Sequence, residues 1–130
     1  MVKNPAIIVA AGLIACASLL FIATSNADEV TKPESDLAEA AERALKATEA
    51  EFGAGRADVE DRYQWSRRLM EAKLASGDVA AREDHLERMR ELHRQTEARF
   101  KAGAVGGSAQ AYAATTYYVL EAETAQHDTL

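Results

Sequence analysis

Four runs with a helical period follow one another between residues 34 and 125. In the first, Leu37, Ala41, Leu45 (with Ala44), Thr48 and Phe52 keep to one face of a helix. In the second, Val59, Tyr63, Ser66, Met70 and Lys73-Leu74 do the same, with Trp65 and Leu69 widening the face. The third carries Val79, Arg82, Leu86, Met89, His93, Thr96 and Phe100 at a heptad-like spacing, with Leu92 alongside. Arg82, His93 and Thr96 make that stripe a poor dry seam. The fourth presents Tyr112, Thr115-Thr116, Val119 and Ala122. No stretch alternates with the period of two that a half-buried strand needs. The pattern predicts an all-α chain.

The breaks between these runs carry the residues that start and stop helices. Thr31 and Glu34 have the spacing of a capping box, with Pro33 in the first turn and Ser35 as an alternative cap. Asp58 and Ser108 are good N-caps for the second and fourth helices. In Ser76-Gly77-Asp78 the glycine ends one helix and the aspartate caps the next, a link short enough to make them antiparallel neighbours. Two further breaks match each other. Thr48-Glu49-Ala50-Glu51-Phe52-Gly53-Ala54-Gly55 returns 48 residues later as Thr96-Glu97-Ala98-Arg99-Phe100-Lys101-Ala102-Gly103. Gly55 and Gly103 fit the left-handed residue that closes a helix, with Phe52 and Phe100 on the last turn. The expected architecture is therefore two helix–glycine break–helix repeats, residues 34–76 and 79–125. Two packings satisfy it: one long hairpin with each arm kinked at its break, or a compact antiparallel four-helix bundle.

Residues 1–27 follow another regime. A short basic start with Lys3 leads into almost unbroken apolar sequence over residues 6–23, and Ser25-Asn26-Ala27 offers small residues before acidic Asp28-Glu29. This is the pattern of a secretory signal peptide. Two alternatives stay open. Leu13-Ile14-Ala15-Cys16 has the form of a lipobox, with Cys16 as the lipidated residue. Eighteen apolar residues are also just enough for an uncleaved anchor. All three predict export to the periplasm or cell envelope of a bacterium. Residues 28–33 then form a polar lead, 34–125 the helical domain and 126–130 a fraying tail.

Composition narrows the function more than it names it. The net charge is −6, which argues against a nucleic-acid partner. Cys16 is the sole cysteine, so the helical domain has no disulfide and no thiolate ligand. His85, Met89 and His93 fall on successive turns of one helix, and imidazole with thioether suits a soft metal such as copper. Against that, Met89 belongs to the packing stripe, His93 lies beside it and His85 reads as solvated. Arg62, Arg67, Arg68, Arg88, Arg90, Arg94 and Arg99 are interleaved with acidic residues, which reads as a solvated face laced with ion pairs. The pairs Glu87/Glu91 and Glu121/Glu123 have no cleft to work in. Tyr117 and Tyr118 cannot both face one core, so with Trp65 they mark a candidate partner surface. The sequence holds no glycine-rich phosphate loop, no nucleophile with an orienting base and no zinc spacing. Neither an enzyme nor a cofactor is expected.

The stretch Glu97-Ala98-Arg99-Phe100-Lys101-Ala102-Gly103-Ala104-Val105 resembles the helical repeats of TolC-type outer-membrane efflux proteins. There an aromatic followed by x-Ala-Gly ends one helical stretch, and a second stretch closes in an Ala/Glu/Leu-rich run similar to Leu120-Glu121-Ala122-Glu123. Glu51-Phe52-Gly53-Ala54-Gly55 is a second, shorter match. Tyr117-Tyr118-Val119-Leu120-Glu121-Ala122-Glu123 also resembles segments of short exported helical proteins of planctomycete-type bacteria. The barrel strands of a TolC-type channel have no counterpart in this sequence. The resemblance implies a coiled-coil-like surface for envelope partners. The expected partner is a second copy of the chain or an envelope protein complex, with membrane contact if Cys16 is lipidated or the first segment is retained.

Overall fold

A computed structural model describes residues 32–128. Residues 1–27, read above as an export signal, with Cys16, and the Thr31 cap lie outside the described residues. The chain forms four helices: α1 (Lys32–Gly53), α2 (Val59–Ala75), α3 (Ala81–Lys101) and α4 (Ala109–His127). No strand occurs among the described residues, as the spacing predicts.

Each helix ends where the local chemistry stops it. At the first break Gly55 takes φ 72°. Its N–H bonds back to the carbonyl of Phe52, and the Arg56 N–H reaches that of Glu51. The second break repeats this, with Gly103 at φ 61° and bonds from Gly103 to Phe100 and from Ala104 to Arg99. These are Schellman closures, which satisfy carbonyls that a helix end leaves open. Gly77 closes α2 in the same way. Asp58 and Asp61 cap α2 reciprocally, and the Ser108 hydroxyl accepts the Ala111 N–H at the start of α4. Asp78 behaves differently from expectation. Its carboxylate bonds the Ala80 N–H and holds a separate turn, so α3 starts at Ala81 and Val79 is left 86% exposed. Ser35 lies inside α1 and does not cap it.

The closures reverse the chain and do not kink it. α1 runs antiparallel along α2, α2 against α3 and α3 against α4, while α2 also touches α4. Of the two expected packings, the compact antiparallel one forms. It is not a closed square, because the backbones of α1 and α4 do not approach each other as they do in an up-down bundle. The molecule is instead two helical hairpins, α1/α2 and α3/α4, with α2 lying against both helices of the second hairpin.

The core follows that layout. Its larger part joins α2, α3 and α4 through Val59, Tyr63, Leu86, Met89, Leu92, Tyr118 and Ala122, and takes in Phe52 from the end of α1. A smaller cluster, Ala41, Leu45 and Leu69 with Trp65, sits between α1 and α2. Because α3 is packed on two sides, its buried face is wider than one seam. Ala81, His85 and Leu92 go inside with Leu86, Met89 and Thr96, while Phe100 stays 43% exposed, stacked on Tyr112.

The turn into α4 passes directly over the end of α3. A Cβ on Gly107 would lie 2.3 Å from the Arg99 carbonyl carbon and 2.4 Å from the Phe100 nitrogen. Both obstacles are backbone, so Gly107→Ala must push the two helices apart. We expect at least about 2 kcal/mol of destabilisation by urea unfolding. Gly103→Ala, which meets nothing but adopts a left-handed backbone, should lose about 1 kcal/mol. Equal losses would contradict the close approach.

Candidate functional site

The outer side of the first hairpin holds an open apolar groove. Leu37 and Ala40 of α1 face Trp65, Arg68, Ala72 and Ala75 of α2 across a volume of about 550 Å³. The groove exists because the inner stripe of α1 is covered over only part of its length. Ala41, Leu45 and Phe52 point into the protein. Leu37 lies one turn before Ala41 and only about 40° round from it, and Ala40 about 100° round; Leu37 remains 63% exposed. Leu37 keeps its place on the stripe but is not buried, a correction to its reading as core: at the far end of the hairpin no neighbour beyond α2 covers it. On the opposite wall the Arg68 guanidinium lies over the indole of Trp65, 4.6 Å from its centroid. That contact is worth about 0.5–1 kcal/mol at an exposed site and holds the indole as a fixed wall. Trp65 is half-buried, packed against the smaller cluster, and rims the groove.

Tyr117 and Tyr118 divide as the sequence requires, one in and one out, but Tyr118 does not belong to a surface. It is 6% exposed and stacks on Tyr63, with ring centroids 4.1 Å apart and planes 10° apart. Its hydroxyl donates to Glu60, and that of Tyr63 donates to Glu121 at 2.5 Å. The two helices therefore exchange a tyrosine–carboxylate bond in each direction. Burial, and then these bonds, raise both phenol pKa values. Tyr117 is 60% exposed, beside Leu120 at 57%. These two give α4 an apolar outer face.

The three residues of the soft-metal constellation are not presented together. His85 is 4% exposed, a correction to its reading as solvated. Its Nδ1 lies 2.8 Å from Ser66 Oγ on α2. Met89 is buried in the core. His93 turns to α4, where its Nδ1 meets Thr115 Oγ1 at 3.1 Å. Each imidazole has one nitrogen committed to a hydroxyl on a different helix. Among the described residues no three His, Cys, Asp or Glu side chains converge as a metal site.

Ser66, His85 and Arg88 form a polar cluster inside the α2/α3 interface that the sequence did not disclose. Arg88 Nε donates to Ser66 Oγ at 2.8 Å, and Arg88 Nη2 is buried with no hydrogen-bond partner. Burial first, and the Arg88 charge second, push the His85 pKa down to about 4. A hydroxyl against an imidazole is the contact of an activated nucleophile. Here Ser66 is fully buried, and the Arg88 N–H draws charge away from its oxygen. The cluster orients the two hairpins.

The arginine-rich stretch splits in two. Arg67 pairs with Glu71, and Arg94 with Glu87 and Glu91, on the exposed face, as expected. Such pairs contribute little stability. Arg62, Arg88 and Arg99 depart from expectation by turning inward. Arg62 is 7% exposed and pairs with Glu49, while Arg99 reaches the Phe52 carbonyl. Both guanidiniums lie against the Phe52 ring. Of the carboxylate pairs, Glu87 and Glu91 share Arg94. Glu121 accepts from Tyr63 and Glu123 pairs with Arg90.

Compared with protein-family models, curated proteins and solved structures, the chain matches none. The likeness to TolC-type repeats therefore rests on the residues quoted above. No described helix is long and apolar enough to cross a membrane.

Proposed function

We propose that this chain is an exported helical interaction module of the bacterial cell envelope, working by docking and not by catalysis. One observation carries the reading. The α1/α2 groove offers Leu37, Ala40, Trp65, Ala72 and Ala75 to solvent at helix-binding spacing, on a hairpin whose walls are held by buried contacts. A groove of this form accepts the apolar face of another helix, read at positions three and four apart. Exposed apolar surface concentrated in one place is the usual mark of a protein–protein contact. Residues 1–27 support this location: their basic start, apolar stretch and small-residue site have the order of an export signal.

Native mass spectrometry of the protein isolated from its own cell envelope tests this. The expected result is a chain beginning at Asp28, held in a non-covalent oligomer or in complex with another protein. A bare monomer carrying a stoichiometric metal would sink the proposal and return the argument to His85, Met89 and His93.

A further inference from the structure

The open groove has a filled counterpart inside the same chain. A shift of 48 residues carries α1 onto α3, matching Phe52 to Phe100 and Gly55 to Gly103. A shift of 50 carries α2 onto α4, matching the N-caps Asp58 and Ser108. Under these shifts Leu37 corresponds to His85, Arg68 to Tyr118, Ala72 to Ala122 and Ala75 to Ala125. The first of each pair line the open groove between α1 and α2. The second of each pair form the groove between α3 and α4, and there the space is taken by α2. Tyr63 stacks on Tyr118, Ser66 meets His85, and Met70 and Arg67 share the lining of the remaining cleft with His85, Ala122 and Ala125. What is left beside α2 is a cleft of about 220 Å³, against about 550 Å³ in the open groove.

The same shift identifies the helix face that fits the open groove. Tyr63, Ser66 and Met70, which α2 turns toward the second hairpin, and Arg67 at their rim correspond to Ala113, Thr116, Leu120 and Tyr117 on α4. All four are exposed. The chain thus carries an unfilled groove at one end and an unused inserting face at the other, related as the two sides of its own α2 contact. Size matches as well. Tyr117 and Leu120 are the large side chains, and the alanines at 40, 72 and 75 leave the room for them. Stacked helical hairpins bury a continuous core, and their outermost helices need polar outer faces when the stack ends. Here the first hairpin leaves Leu37 in solvent and α4 leaves Tyr117 and Leu120.

We infer that a second copy of this chain occupies the groove: α4 of one copy lies between α1 and α2 of the next, continuing the packing of α2 on α3/α4. The contact is heterologous, so it builds a ring or a filament and not a two-fold dimer. This inference rests on the docking role proposed above and names the partner.

The test uses Leu37→Arg, which spoils the groove, and Leu120→Arg, which spoils the inserting face. Both side chains are exposed, so helicity by circular dichroism should not change. Sedimentation of the full-length protein, purified from its own cells, should give species larger than a dimer as concentration rises into the micromolar range and above. Each variant alone should lose at least about tenfold in association. Mixed, they should form a one-to-one dimer and stop there, because Leu37→Arg keeps a good inserting face and Leu120→Arg keeps a good groove. Ala40→Arg and Thr116→Arg repeat the design at neighbouring exposed positions if either first variant loses helicity. Wild-type protein that stays monomeric overturns the inference, as does a mixture that gives no dimer. Self-association that survives Leu120→Arg means a two-fold contact and also overturns it. If the chain is monomeric by sedimentation yet comes from its envelope bound to another protein, this inference falls and the docking role stands. A monomer with no partner removes both.

Discussion

Phe52→Ala should unfold with a free energy about 3–5 kcal/mol below that of the wild type, measured by urea denaturation at neutral pH. Phe52 is 2% exposed and is the residue through which α1 joins the main core. Truncation removes its buried area and leaves a cavity in the main core. It also strips the ring from two cations. The Arg99 guanidinium carbon stands 4.0 Å from the ring centroid and that of Arg62 4.9 Å. Arg62 already resists its own burial through Glu49, which only partly offsets the desolvation that lowers its pKa. Without the ring its guanidinium faces a void. A domain of this size is stabilised by about 5–15 kcal/mol, so the variant would stand near the threshold of folding. Phe100→Ala is the control. Phe100 occupies the matching place in the second hairpin but is 43% exposed on Tyr112, so about 1 kcal/mol is expected. Equal losses at 52 and 100 would show that α1 is not anchored as described.

The second large effect is on pH. His85 titrates at about 4 when folded and at 6.5 when exposed. Between these values the unfolded chain takes up a proton that the folded chain does not, so stability must fall as pH drops from 6.5 toward 4. The full loss is roughly 3 kcal/mol, with no further contribution from this group below pH 4. The groups facing the imidazole are Arg88 on α3, Arg67 and Glu71 on α2, and Glu121 on α4. Burial is the first cause and the Arg88 charge the second, and Glu121 and Glu71 oppose them. Carboxylates titrate in the lower part of the same range, so the reading is a difference. Unfolding free energies of wild type and His85→Gln, which cannot take up the proton, should diverge in slope between pH 6.5 and 4. Parallel curves would mean that the imidazole is solvated after all.

The candidate groove illustrates how a sequence conceals a surface. Leu37 is four residues from Ala41 and lies on the same stripe, yet only the part of that stripe from Ala41 onward is covered. Arg68, Ala72 and Ala75 carry little apolar signal singly. Their spacing with Trp65 marks a seam once the aliphatic stem of Arg68 is counted as surface. His85 misleads in the opposite direction. It stands one turn before Met89 among charged residues, and nothing local reveals that α2 brings Ser66 and Arg67 over it.

What the sequence determined by itself is local. The helical period, the Asp58 and Ser108 caps and the Phe-x-Ala-Gly closures lie within a few residues of the structure they cause, because helix hydrogen bonds and capping contacts span only three to five positions. The all-α class and the division of Tyr117 from Tyr118 follow from the same short range. The tertiary structure decided everything that depends on which face meets which helix. α3 is packed on two sides and so buries His85, α1 is packed on one and so exposes Leu37, and α4 keeps Tyr117 and Leu120 in solvent. Burial belongs to pairs of helices, and no spacing within one helix records how many neighbours it will have.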